Sequence, residues 1–289
     1  MNHYLLAVLL GIIEGLTEFL PVSSTAHLRI AEALLGVDLS DGYWKMFSIV
    51  IQLGAILCLP IYFRERISRF LSTFPRGERG DRTALTHPLT LTIIAFVFTA
   101  VPAFLLTKVI GKHLESLFII ASSLIVGGIV MWVVDALYTN GTFSARPTEH
   151  MEEMSLGQAV WIGLCQTLSA VFPGTSRSMA TIAAGQLSGM SRTSALEFSF
   201  FLSIPTMAAA TGYDLLKSLR HHGSDPSALG SVHMTPEGWV TLAIGAVVSF
   251  IVAYGVVAWF MQWVRSRGFV PFAVYRIILG VGVLFWALR

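Results

Sequence analysis

YLLAVLLGIIEGLTEFLPVSSTAHLRIAEALL, residues 4–35, decides the fold. The stretch is apolar for most of its length, yet Pro21 interrupts it midway, and Ser23, Ser24 and Thr25 follow. A helix crossing a bilayer needs roughly 20 apolar residues, and neither half supplies them. Non-helical backbone at membrane depth is tolerated only inside protein or beside a wet cavity. The spacing therefore predicts a re-entrant helix–loop–helix hairpin over residues 4–35. A second block, LGQAVWIGLCQTLSAVFPGTSRSMATIAAGQL, residues 156–187, is broken in the same way at Pro173 and predicts a second hairpin.

Outward from these blocks lie six further, largely apolar stretches of helix length, residues 43–63, 88–110, 116–137, 194–216, 239–264 and 270–288, each predicted to span the membrane. Composition agrees: 54% of the residues are hydrophobic and 12% charged, with mean hydropathy +0.70, against about 25% charged in an average soluble domain. The net charge of +2, with no basic stripe interleaved with aromatics, argues against a nucleic-acid partner. Cys58 and Cys165 lie in apolar sequence without metal-ligand spacing and are expected to be small buried hydrophobes. Residues 1–13 are apolar but lack a basic flank and a small-residue cleavage site, so they do not read as a removable signal peptide.

The two broken blocks resemble each other. A shift of 152 positions puts Gly11 on Gly163, Glu14 on Gln166, Pro21 on Pro173 and Ser24 on Ser176, and nearly the same offset puts Phe47-Ser48 on Phe198-Ser199. The expected fold is an all-α polytopic membrane protein built as an inverted repeat. Its halves would be residues 1–138 and 155–289, each with one re-entrant hairpin and three spans. Paired broken helices in inverted repeats place a site near the midplane where the breaks meet. The loop 64–82 carries six arginines; in this topology ten Lys and Arg residues share its side and six lie opposite. The positive-inside tendency makes that side cytoplasmic. Both termini and the mouth of the first hairpin would then face outward.

Glu14 and Glu18 are four residues apart and share a helix face. Two carboxylates side by side in apolar sequence repel each other and are costly to desolvate. A divalent cation, Mg²⁺ or Ca²⁺, resolves both problems, and Mg²⁺ commonly uses one or two carboxylates together with substrate phosphates. The alternative is a structural pair, one member protonated or bonded to a neighbouring helix. After Pro21, the hydroxyls of Ser23, Ser24 and Thr25 suit the start of the next helix, whose free N–H groups suit phosphate. His27 lies one turn further on, where it serves as acid, base or nucleophile, or as an ordinary hydrogen-bonded core histidine.

In the second block, Gly174 permits an unusual backbone angle. Thr175, Ser176 and Ser178 offer hydroxyls, and Arg177 offers a planar fork matched to phosphate oxygens. The competing reading pairs Arg177 with a distant carboxylate such as Glu14 or Glu18. Gln166, at the repeat position of Glu14, and Thr181, one turn past Arg177, are further lining candidates. Gln52 and Ser203 read as helix–helix contacts. Arg192, Glu197 and Arg276 are expected near the interfaces or paired with each other.

At Glu14–Leu28, Phe47–Leu57, Phe172–Thr181 and Glu197–Met207 the sequence resembles the undecaprenyl-diphosphatase family of the bacitracin-resistance type. It departs at Ala26 and Met179, where that family usually has glycine, and at Ser48, where an acidic residue is common. The resemblance implies a divalent-metal-dependent hydrolysis of undecaprenyl diphosphate to undecaprenyl phosphate and inorganic phosphate. That reaction recycles the lipid carrier of bacterial cell-wall synthesis and confers bacitracin resistance. The residues fit that chemistry. Glu14 and Glu18 serve as metal ligands. Glu18, His27, Ser176 and Arg177 serve in catalysis. Ser23, Ser24, Thr25, Gln166, Gly174, Thr175, Ser178 and Thr181 serve around the phosphates. Ser176 attacks, or orients the attacking water, with His27 exchanging its proton; the other assignment makes His27 the nucleophile. A rival of another class is a transporter or flippase of a phosphorylated polyprenyl lipid, since broken helices in inverted repeats are also transporter architecture. A bland membrane scaffold is disfavoured by the buried ionisable cluster. Prenyl chain length, metal identity and oligomeric state, a homo-oligomer included, stay open.

Overall fold

The computed structural model describes residues 2–37, 42–78, 80–106, 116–139, 147–220 and 235–288. Among these the helices are α1 (His3–Thr17), α2 (Ser24–Leu35), α3 (Gly42–Tyr62), α4 (Arg64–Thr73), α5 (Pro88–Leu105), α6 (Leu117–Thr139), α7 (Leu156–Val171), α8 (Arg177–Leu187), α9 (Arg192–Arg220), α10 (Pro236–Ser266) and α11 (Val270–Ala287). Five of them, α3, α5, α6, α10 and α11, are long and apolar enough to cross a membrane. They coincide with five of the six expected spans, and the chain is a multi-pass membrane protein. The last residues of the expected 88–110 span, 107–110, lie outside the described residues. The sixth expected span is also a helix, the 29-residue α9, but it is less apolar than the other five because Ser194, Glu197, Ser199 and Ser203 lie on it, all buried.

Helices α1, α2, α7 and α8 contain 15, 12, 16 and 11 residues. Each falls short of the roughly 20 residues a crossing requires. The break in each expected hairpin is real: α1 gives way to a turn at 18–23, and α7 to a turn at 172–176.

Contact density divides the chain into two compact units that interleave along the sequence. The first contains residues 1–19, 24–62 and 203–258. Its apolar core joins Leu6, Ala7 and Leu10 of α1, Leu28 and Ala31 of α2, Phe47 and Ile51 of α3, and Leu242 of α10. Close backbone approach sets the position of α1: a methyl group at Gly15 would sit 2.7 Å from the Ser249 carbonyl oxygen on α10. Small residues at such crossings let helices pack where lipid tails are as apolar as leucine.

The second unit contains residues 20–23, 63–202 and 259–289. Phe63, Phe70, Phe200, Phe201 and Phe260 form an aromatic cluster within it. Two ionic nodes fasten its helices. The Arg66 guanidinium donates to both Glu152 oxygens, at 2.6 and 2.7 Å, and also to Glu197. Buried Asp135 accepts from Arg192 Nε at 2.7 Å, from the Phe269 N–H at 2.9 Å and from Gln186 Nε2 at 3.3 Å. At the start of α5, outside the span, His87 Nδ1 accepts from the Leu89 N–H while its ring packs edge-on to Phe70 and Phe74.

Candidate active site

In the first unit, α1 carries Glu14 and ends with Glu18 as its C-cap. Both carboxylates are buried, at 0% and 7% exposure. Across the turn, the Ser24 hydroxyl donates to Glu18 Oε2 at 2.6 Å, the length of a charge-assisted O–H···O bond. Ser24 begins α2, on which Thr25 is exposed and His27 half-buried. Among the described residues no group of three or more His, Cys, Asp or Glu is placed to hold a metal ion. Two buried carboxylates one turn apart therefore do not make a zinc-type site, which needs three or four protein ligands. They do fit Mg²⁺ or Ca²⁺ held by carboxylates, with substrate oxygens and water completing the shell.

The turn between those helices, Leu20–Ser23, belongs to the second unit, together with Phe172–Ser178. The Ser178 hydroxyl donates to the Leu20 carbonyl at 2.9 Å, so the two helix-breaking turns touch. Each turn ends in a serine with positive φ, Ser23 at 74° and Ser176 at 69°. Among the described residues these are the only non-glycine positions in that region, which costs an L-residue roughly 1–2 kcal/mol. Strain of this kind collects at functional sites. Ser176 caps α8, its Oγ accepting from the Met179 N–H at 3.4 Å and lying 3.1 Å from Ser178 Oγ. Arg177 is the first residue of α8 and is half-buried. Thr181 shares a 2.6 Å hydrogen bond with Ser199 of α9. Gln166 donates to Thr99 Oγ1 at 3.2 Å, linking α7 to α5. Gly174 is required twice over: its φ is +95°, and a methyl group there would sit 2.6 Å from the Ile120 carbonyl oxygen on α6. A helix start with a guanidinium on its first residue is the combination that suits an anion in general.

A cavity of about 530 Å³ adjoins this turn, lined by residues that include Phe118, Val126, Leu168, Phe172, Thr175 and Ala183. Its wall is almost wholly apolar, and Thr175 brings it to the hydroxyl-bearing turn.

Two sequence expectations are corrected. Arg192, Glu197 and Arg276 do not pair with each other: Arg192 takes Asp135, Glu197 takes Arg66, and Arg276 is fully buried, its guanidinium donating to the carbonyls of Pro21 at 3.1 Å, Ser123 at 3.1 Å and Gly174 at 3.0 Å. The repeat offset of 152 holds at the prolines but not at the helix starts. Between the proline and the following helix the second turn has one residue more, so Ser23 corresponds to Ser176 and Ser24 to Arg177. Sequence reasoning named Arg276 but gave it no place at the two turns. Its signal was an arginine alone within the apolar stretch 270–288, the kind of intramembrane charge that is functional by default.

A sequence model of the family described as "Bacitracin resistance protein BacA" matches residues 7–282. A protein of Koribacter versatilis (strain Ellin345) named undecaprenyl-diphosphatase is 72% identical over 289 residues, covering 100% of both chains. Proteins of the same name from Caldanaerobacter subterraneus subsp. tengcongensis and Sorangium cellulosum (strain So ce56) are 40% and 44% identical. The matches cover 99% and 96% of this chain and 96% and 84% of theirs. With its two helix-breaking turns in contact and a family match over nearly its whole length, the chain belongs to the bacitracin resistance protein BacA family, whose curated members here carry the name undecaprenyl-diphosphatase.

Proposed function

We propose that this chain is an integral membrane phosphatase that hydrolyses undecaprenyl diphosphate to undecaprenyl phosphate and inorganic phosphate. It thereby returns the lipid carrier to cell-wall synthesis and confers bacitracin resistance. The observation that carries the reading is the contact between two strained serine turns, the first following Glu14 and Glu18 in the sequence and the second followed by a helix start with an arginine. Phosphoryl transfer asks mainly for positioning and charge neutralisation, and this set supplies both.

In the mechanism we propose, the Arg177 guanidinium and the positive N-terminal end of α8 hold the terminal phosphoryl oxygens. Ser176 Oγ, at the positive end of that helix, attacks the terminal phosphorus or orients the water that does, and His27 takes up the proton. The bond from that phosphorus to the bridging oxygen breaks, and the prenyl monophosphate leaves with the bridging oxygen. If a phosphoserine forms, water then releases inorganic phosphate and restores the hydroxyl. Glu14 and Glu18 would hold Mg²⁺ or Ca²⁺, which when bound neutralises diphosphate charge. Ser24 keeps Glu18 oriented through its hydrogen bond. Ser23, Thr25, Gly174, Thr175, Ser178, Thr181 and Gln166 line or brace the phosphate region. The prenyl chain lies in the apolar cavity beside Thr175, where lipid and headgroup chemistry adjoin.

The architecture that accompanies this reading is an inverted repeat of residues 1–138 and 155–289. The short pairs α1–α2 and α7–α8 are its re-entrant hairpins, and the arginine-rich segment 64–82 faces the cytoplasm of a bacterial cell. Their lengths support it, since none of the four can cross by itself. The test is phosphate release from a polyprenyl diphosphate by the purified protein, with and without chelator. Movement of intact diphosphate across a vesicle without phosphate release would favour a lipid transporter instead.

A further inference from the structure

Arg276 sits on α11 with no exposure, and three segments far apart in sequence converge on it. Its Nη1 donates to the Pro21 carbonyl of the first turn, and its Nη2 donates to Gly174 of the second turn and Ser123 of α6. The two turn carbonyls are equivalent in one respect: each lies two residues before the serine with positive φ. A guanidinium is a rigid planar fork, so the oxygens it binds are held at a fixed separation. Pinning both carbonyls to one fork therefore fixes the spacing and relative tilt of the two turns. Carbonyl dipoles alone receive this guanidinium in the hydrogen bonds the structure records, and its Nε has no partner. A cation buried this way is costly, more than simple helix packing requires.

Room for the fork comes from one position on α6. A methyl group at Gly127 would lie 2.3 Å from Arg276 Nη2 and 2.8 Å from Met179 Cε, the latter on α8. Glycine at 127 leaves the helix wall open where the guanidinium must lie to reach Ser123 and Gly174. We propose that Arg276 is a positioning residue that sets the register of the two serine turns, and that Gly127 admits it. It contacts backbone only and acts on substrate through the turns it holds.

The inference rests on the phosphatase reading for its activity readout, so the wild-type protein is assayed first; absence of phosphate release there fails that reading, not this one. Arg276→Lys keeps the charge but loses the fork, and Gly127→Ala keeps the arginine but displaces it. Each is expected to lower kcat by about a hundredfold or more, the loss of two charge-assisted bonds. Gly282→Ala on α11, where a methyl group meets open space, leaves activity unchanged. Arg276→Ala, where it purifies folded, recovers activity at least tenfold with added guanidinium but not with methylammonium, which a merely structural loss would not show. Near-normal kcat in Arg276→Lys or Gly127→Ala overturns the proposal. So does a folded Arg276→Ala that guanidinium leaves inactive, or unfolding of all three variants, which would make Arg276 a strut for the fold.

Discussion

Gly174→Ala puts the geometry of the second turn under direct test. At φ +95° an added Cβ meets its own backbone, at a cost of roughly 1–2 kcal/mol. It also comes within 2.6 Å of the Ile120 carbonyl oxygen, an overpacking that typically costs about 1–3 kcal/mol. The smaller entropy of the unfolded alanine chain offsets roughly 0.4–1 kcal/mol. The net destabilisation is therefore about 1–5 kcal/mol if the turn stays in place. If the turn moves away from α6 to relieve the clash, it surrenders the Gly174–Arg276 hydrogen bond. A bond to a charged donor is worth about 1.5–3 kcal/mol, or about 10–100-fold in turnover when it is lost from the reacting geometry. Both branches are measurable on one sample: thermal unfolding in detergent, and phosphate release at saturating substrate. A variant with unchanged midpoint and turnover within twofold of wild type would refute the claim that backbone conformation and contact at Gly174 shape the site.

Four further outcomes are expected. Glu18→Gln abolishes phosphate release and Glu14→Gln severely reduces it; chelator silences the wild type and Mg²⁺ or Ca²⁺ restores it, whereas full activity in chelator removes the metal from the mechanism. Ser176→Ala and His27→Ala both lose most activity, and an acid-stable phosphoenzyme identifies phosphoserine while an acid-labile one identifies phosphohistidine; near-normal turnover in both variants overturns the assignment. Ala183→Phe, which narrows the apolar cavity, raises KM for a long-chain prenyl diphosphate while sparing a short one, and equal effects on both substrates would exclude the cavity as the tail site. Burial, together with the charge of Arg82, holds the His87 imidazole below its usual pKa, so its contribution to stability is complete above about pH 6.5 and declines as pH falls toward the lower folded value; thermal midpoints from pH 8 to 5 should show that decline in wild type and less of it in His87→Asn.

The long apolar helices and both breaks were legible in the sequence because length and apolar periodicity leave few alternatives in a bilayer; α4 was not, since residues 64–82 read as an arginine-rich loop, yet 64–73 are helical. Glu14, Glu18 and Arg177 announced themselves as charges in apolar surroundings. Less legible was the register between the two motifs. Matching Pro21 to Pro173 carries Ser24 onto Ser176, but Ser23 is the residue that shares the backbone conformation of Ser176. One extra residue in a turn is invisible to an alignment by residue type when both turns are rich in hydroxyls. Arg276 escaped for a different reason. Its partners are backbone carbonyls at positions 21, 123 and 174, and a carbonyl leaves no signature in a sequence. Gly127 escaped with it, since its importance lies wholly in what occupies the space beside it.

The two serines held at positive φ have a consequence for anyone seeking a sturdier version of this protein. Glycine tolerates that region without steric penalty. Ser23→Gly or Ser176→Gly would relax the folded chain, by up to about 1 kcal/mol each after the entropic cost of glycine. A selection for heat resistance should therefore be drawn to these positions, and each gain would remove a hydroxyl from a turn that the proposed chemistry uses. Thermal tolerance and turnover should trade against each other here more steeply than elsewhere in the chain.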